Sequence, residues 1–206
     1  METSLANIIN HQTLIATKAA RVMEAAGDTE VMEFGLRRAQ GPDAGLYGSR
    51  AAFIGGCHST SNVLAGQLYG IPVKGTHAHS WVMSFPDELT AFQAYADAYP
   101  NACLLLVDTY DTLRSGVPNA IRVAKELEAR GGKFLGIRLD SGDLAYLSKV
   151  SRKMLDEAGL EHATIVASGD LDEDTIRDLR MQGAKIDSWG VGTKLITGDN
   201  NPALGG

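Results

Sequence analysis

The chain has 206 residues, 44% of them hydrophobic, a net charge of -6 and a pI near 5.3. That length can bury a sizeable core and sets one domain, or a large piece of one, as the default. The acidic balance excludes a basic nucleic-acid-binding face, no apolar run approaches the roughly 18 residues of a membrane span, and the polar start Met1-Glu2-Thr3-Ser4 does not read as a signal peptide.

Residues 4 to 26 read as a helix, because Leu5, Ile8, Ile9, Ile15, Ala19, Val22 and Met23 keep near-helical spacing. Thr3 or Ser4 is its expected cap and Gly27 its stop. Residues 33 to 49 read as a loop, in which Gly35, Gly41, Pro42, Gly45 and Gly48 surround basic residues. Two small-residue helical pieces are expected near 49–56 and 60–69, broken at Gly55-Gly56. From Ile71 onward strands alternate with helices near 88–99, 117–130, 143–158 and 172–182. Pro118 suits a first helical turn, Asp143 an N-cap, and Gly131, Gly159 and Gly183 the positions just past helix ends. Such alternation with short connections implies an α/β fold of parallel strands with right-handed crossovers.

Cys57 and Cys103 lack metal-ligand spacing and are too few for a disulfide framework. They read as buried packing thiols in a reducing cytosol.

Five apolar runs end in polar residues. Ile71–Lys74 runs into Gly75-Thr76-His77-Ala78-His79-Ser80, and Leu104–Val107 into Asp108-Thr109-Tyr110-Asp111. Phe134–Ile137 runs into Arg138-Leu139-Asp140-Ser141-Gly142-Asp143, Thr164–Ala167 into Ser168-Gly169-Asp170, and Ser188–Val191 into Gly192-Thr193. Parallel α/β enzymes build their sites at the carboxyl ends of strands.

Each group also has a bland reading. An ion pair plus a helix cap explains Asp143, but Arg138 and Asp140, two apart on a strand, point into the same space. That arrangement suits a ligand bearing both an anionic group and hydroxyls. Ser141, Gly142 and Asp143 are expected to turn the chain and cap a helix. His77 and His79 are either polar loop residues bonded to backbone or a nucleophile or acid/base; no second pair completes a metal site, so no protein-held metal is expected. Asp108 is placed to accept a hydrogen bond from the imidazole. Gly169-Asp170 and Gly192-Thr193 are Gly turns that let backbone N–H groups approach a phosphate, or are merely turns. Arg37, Arg38 and Arg50 are a solvated basic loop or an anion clamp.

The linked stretches Asn10–Lys18, Phe34–Ala39, Gly75–Ser80, Arg138–Asp143 and Gly190–Thr193 resemble those of the nicotinate phosphoribosyltransferases over essentially the whole chain. The resemblance implies a type II phosphoribosyltransferase fold, an irregular α/β barrel. Residues 1–206 would form its barrel domain, incomplete in strand number, without the N- and C-terminal segments that make the family's second domain. It implies ATP-coupled transfer of phosphoribosyl from 5-phosphoribosyl 1-diphosphate to nicotinate, giving nicotinate mononucleotide and diphosphate in NAD biosynthesis. Mg²⁺ would accompany the diphosphate and ATP. By the same resemblance His79 takes a phosphoryl group, with Asp108 behind it, and Thr76 and Arg138 contact nicotinate. Asp140, Gly169, Asp170, Gly192 and Thr193 line the ribose and phosphates, and Arg37, with Arg38 beside it, lies near the pyridine ring and the phosphates. Ser61 stands where nicotinamide-using relatives carry an Asp, which favours the acid over the amide. A cytoplasmic homodimer with a shared active site is expected, with neither nucleic acid nor membrane as partner. The alternatives are a nicotinamide or quinolinate phosphoribosyltransferase of the same fold, or an incomplete barrel fragment that binds ligand without turnover.

Overall fold

The structure, a computed structural model, describes residues 1–200. In chain order its elements are α1 (Glu2–Ala26), β1 (Glu30–Glu33), α2 (Pro42–Ile54), β2 (Ser59–Thr60), α3 (Val63–Tyr69), α4 (His79–Met83), α5 (Glu88–Ala98), β3 (Cys103–Leu106), α6 (Val117–Ala129), β4 (Phe134–Leu139), α7 (Leu144–Glu157), β5 (Thr164–Ala167), α8 (Glu173–Met181), β6 (Ser188–Val191) and α9 (Thr193–Ile196). A 3-10 turn spans Leu36–Arg38 and a π-helical turn Thr112–Gly116. The parallel α/β class is as expected: β1 pairs with β2 and β6, and β4 with β3 and β5, all in parallel.

The chain divides into two compact units. One comprises Met1–Gly75, Ser168–Arg180 and the residues from Ser188 on. Its strands run β2-β1-β6, and the buried side of α1 (Ile15, Ala19, Val22, Ala26) packs on α2. The second comprises Thr76–Ala167 and Met181–Asp187. Its strands run β5-β4-β3, with β3 at the edge. Leu105, Leu106, Phe134, Ile137, Leu139 and Ile165 are fully buried there, as strands covered on both faces must be.

Local chemistry sets several boundaries. Asp143 accepts the Tyr146 N–H at 3.0 Å and starts α7, and Pro118 lies in the first turn of α6. Gly131 and Gly159 follow helix ends at φ 84° and 78°. At Gly136, φ is 150° and a side chain would meet the backbone of Thr164 on β5, so only glycine lets the two strands approach.

Four expectations need correction. The loop expected over 33–49 is mostly ordered, because Gly41 and Pro42 start helix α2. Gly45 and Gly48 lie on its buried face, where any Cβ would strike Leu36 and Ile196. Ile71–Lys74 is not a strand; only Val73 bridges to Thr60, and Pro72 has no N–H to give a ladder. Neither Thr3 nor Ser4 caps α1, which begins at Glu2 with Met1 in the N-cap position and no side-chain cap. Strands β1 and β2 were not anticipated.

Candidate active site

In the second unit the ends of β3 and β4 and the turn entering α4 bring Thr76, His79, Asp108, Arg138 and Asp140 into one hydrogen-bonded network. Asp108 follows β3, and its side chain is 2% exposed. Its Oδ1 lies 3.1 Å from Nε2 of His79. Its Oδ2 accepts the backbone N–H of Asp140 at 2.9 Å and the hydroxyl of Ser141 at 2.5 Å. A carboxylate against Nε2 fixes the proton there, so Nδ1 keeps the lone pair. His79 opens α4 and is 37% exposed, open enough for a ligand to reach.

Arg138 donates from Nη1 to Thr76 Oγ1 at 2.9 Å and from Nη2 to Asp140 Oδ1 at 2.6 Å. Thr76 Oγ1 donates in turn to the His77 carbonyl at 3.0 Å. The guanidinium and carboxylate are 14% and 21% exposed, a pair held at the rim rather than sealed in the core. Ser141, expected only to turn the chain, belongs to the network through Asp108. His77 separates from its neighbour: it is buried, and Nε2 accepts the Leu106 N–H at 3.1 Å.

The first unit holds the remaining residues. Arg37 and Arg38 are exposed on the 3-10 turn. Ser61, half-buried past β2, donates its N–H to the Glu33 carbonyl at 2.9 Å. Gly169 and Asp170 both take positive φ, 96° and 46°, a tight turn that the aspartate enters at a cost. Gly192 is the N-terminal boundary of α9 and Thr193 its first residue. Gly190, two residues earlier, has no room for a side chain beside the Phe34 ring.

Three features of this unit had no readable signal. Glu33 is wholly buried; Oε2 accepts the hydroxyls of Ser49 (2.8 Å) and Thr60 (2.6 Å), and Oε1 the Gly35 N–H. Lys18 and Glu173 form a largely buried pair at 2.7 Å. Asp172 caps α8 by accepting the Thr175 N–H at 2.8 Å and receives Lys194 Nζ at 2.6 Å. Burial works to raise the Asp172 carboxyl, but the bonds from Lys194 and Thr175 outweigh it and hold it at about 2. The same bond raises the Lys194 ammonium. Cys57 and Cys103 are free and buried, and burial pushes both thiols up to about 12. Among the described residues no helix is long and apolar enough to cross a membrane, and no group of three or more His, Cys, Asp or Glu could hold a metal.

Polar chemistry gathered past the carboxyl ends of parallel strands is the architecture on which α/β proteins place their sites, and this chain has that architecture. Residues 29–203 match the profile of the nicotinate phosphoribosyltransferase (NAPRTase) family, to which the chain belongs. It is 62% identical to the nicotinate phosphoribosyltransferase of Bacillus subtilis (strain 168) over 205 residues, 100% of this chain and 41% of that protein. With the enzyme of Dictyostelium discoideum the identity is 46%, covering 99% of this chain and 42% of that one. The crystal structure of human nicotinic acid phosphoribosyltransferase superposes with a TM-score of 0.86 at 37% identity, covering 93% of this chain and 49% of the human one. The chain thus spans less than half the length of these relatives. Nicotinate-nucleotide pyrophosphorylase from Pyrococcus furiosus gives a TM-score of 0.80 at 30% identity, over 94% of this chain and 49% of that one.

Proposed function

We propose that this chain carries nicotinate phosphoribosyltransferase chemistry: transfer of phosphoribosyl from 5-phosphoribosyl 1-diphosphate to nicotinate, coupled to ATP hydrolysis through a phosphohistidine. The observation that carries the reading is the Asp108 carboxylate, bonded on one oxygen to His79 and on the other to Asp140 and Ser141. Nδ1 of His79 attacks the γ-phosphorus of ATP, the bond to the bridging oxygen breaks, and ADP leaves. Asp108 stabilises the proton that stays on Nε2 while the ring carries positive charge. Water later takes the phosphoryl group from Nδ1.

The pyridine nitrogen of nicotinate already has a lone pair, so attack on the ribose carbon needs no strong base. As that bond forms the bond to diphosphate breaks. Asp140 is the carboxylate proposed to face the ribose as it becomes oxocarbenium-like. Arg138 and Thr76 offer a cation and a hydroxyl to the nicotinate carboxylate. Arg37, Arg38, Ser61, Gly169, Asp170, Gly192 and Thr193 are proposed for the remaining substrate contacts, on the family likeness. Mg²⁺ is proposed to accompany the diphosphate and ATP as part of the substrates, where it would neutralise their charge.

A second copy of the chain is the proposed partner; Leu5, Ile8 and Ile9, all exposed on α1, support a covered face. The free, buried thiols support a reducing, cytoplasmic setting.

Incubation with γ-labelled ATP tests the reading. Acid-labile label is expected on the wild type and not on His79→Ala. An unlabelled wild type, or an equally labelled variant, overturns it. Nicotinate, nicotinamide and quinolinate compared as acceptors fix the base, and nicotinate is the expected one.

A further inference from the structure

Within Thr76–His79 each bonded side chain reaches a different partner: Thr76 meets Arg138, His77 meets Leu106, and His79 meets Asp108. His77 alone takes no part in the proposed chemistry. It is 7% exposed, stacks edge-on against Tyr95 with centroids 4.7 Å apart, and lies 6.0 Å from Phe92. An apolar residue would fill that space more cheaply than an imidazole, so the polar ring calls for a reason.

The reason lies in strand β3. Val107 donates its N–H to the Arg138 carbonyl of β4, so the N–H of Leu106, one residue earlier, points the opposite way. Within the second unit β3 is an edge strand, and among the described residues no strand of that unit lies on that side to accept it. The Nε2 of His77 does so at 3.1 Å. The proton must therefore sit on Nδ1, which faces the Ala78 carbonyl at 3.4 Å.

We infer that His77 is a positioning residue: its neutral ring stands in for the missing neighbour of β3 and fixes the turn that carries Thr76 and His79 against Arg138 and Asp108. Its anchor, Leu106, lies two positions before Asp108, so one bond sets the spacing between the imidazole of His79 and its carboxylate. The two histidines then hold opposite tautomers, His77 protonated on Nδ1 and His79 on Nε2. The surroundings favour a neutral His77. Burial, with the nearby charges of Arg138 and His79, outweighs the Ala78 bond and lowers its imidazole to about 4. Tyr95 is the other titratable group against it, and burial raises that phenol to about 12, so it stays neutral.

The inference rests on His79 as phosphoryl acceptor only for its functional consequence. Nitrogen-15 NMR of the imidazoles in the intact chain near neutral pH tests the geometry without activity. An unprotonated Nε2 on His77 and a protonated Nε2 on His79 are expected. A proton on Nε2 of His77 overturns the proposal, and this wild-type measurement stands even if variants fail to fold. In His77→Leu, which keeps the packing, we expect the Leu106 amide to exchange at least about tenfold faster and His79 to lose its single tautomer. His77→Gln, whose side-chain carbonyl can reach the same N–H, should restore both. Wild-type behaviour in the Leu variant, or no rescue by Gln, overturns the proposal. Labelling by γ-labelled ATP on the same proteins separates the two readings. An unlabelled wild type with the expected tautomers removes the phosphohistidine and leaves the positioning role.

Discussion

The backbone N–H of Asp140 donates to the carboxylate of Asp108 at 2.9 Å, so an aspartate after β3 holds the first residue past β4. A side-chain acceptor has taken the place of a ladder bond just where both strands end. In Asp108→Asn the amide carbonyl can still serve Asp140 and Ser141, but its NH₂ then faces Nε2 of His79, which accepts only if the imidazole proton moves to Nδ1. The charge that strengthened all three bonds is also gone. We expect a loss of about 1–3 kcal/mol in urea unfolding. Phosphoryl uptake by His79 should fall on the order of a hundredfold. Wild-type labelling by the Asn variant would remove Asp108 from the proposed mechanism.

Glu33 gathers two hydroxyls and one N–H in a place water does not reach. Glu33→Ala strands the Thr60 hydroxyl and the Gly35 N–H, while the Ser49 hydroxyl can turn wholly to the Gly45 carbonyl at 2.9 Å, and a cost of about 2–4 kcal/mol is expected. Ser49→Ala should cost distinctly less, because it leaves the carboxylate two of its donors. Equal losses in denaturant titrations of the two variants would contradict this account.

The Asp172–Lys194 pair sets a pH window. The Asp172 carboxyl is lowered from 3.8 to about 2, so its stabilisation is complete above 3.8 and disappears as pH falls towards 2. The Lys194 ammonium is raised above 10.5, so its share is lost only as pH climbs past that value. The stability gap between wild type and Asp172→Asn should be flat through neutral pH and close between about pH 4 and 2. A gap unchanged at pH 2 would show that packing, not charge, distinguishes the two.

Gly136→Ala places a methyl 2.0 Å from the Thr164 carbonyl oxygen at a φ of 150°. Both faults fall where β4 meets β5, two residues before Arg138. A destabilisation of about 2–4 kcal/mol is expected by thermal unfolding. Little change in melting temperature would mean that the strands can separate locally.

The sequence disclosed the network of the second unit because its residues sit where apolar runs stop. Arg138 and Asp140 could be paired by spacing alone, and Asp108 by its place after the preceding strand. Glu33 could not be found that way. Its partners Ser49 and Thr60 are 16 and 27 residues distant, and nothing local separates a buried glutamate from a solvated one. Glycine misled in α2. Gly45 and Gly48 signal turns by composition, yet here they serve close packing on Leu36 and Ile196, which only the tertiary structure reveals. The division of labour between His77 and His79 was equally hidden, since it turns on which ring faces the edge of β3.

The network in the second unit is closed by contacts 62 residues apart between Thr76 and Arg138, 29 between His79 and Asp108, and 32 between Asp108 and Asp140. Apart from the local Arg138–Asp140 and Thr76–His77 bonds, none of it can form from a short peptide. During synthesis His79 waits, without its carboxylate, until β3 has been made, and Asp108 waits for Ser141. Closing such loops early costs entropy that only the assembled sheet returns. The imidazole therefore meets its fixed surroundings late, after the strands on which it depends have paired.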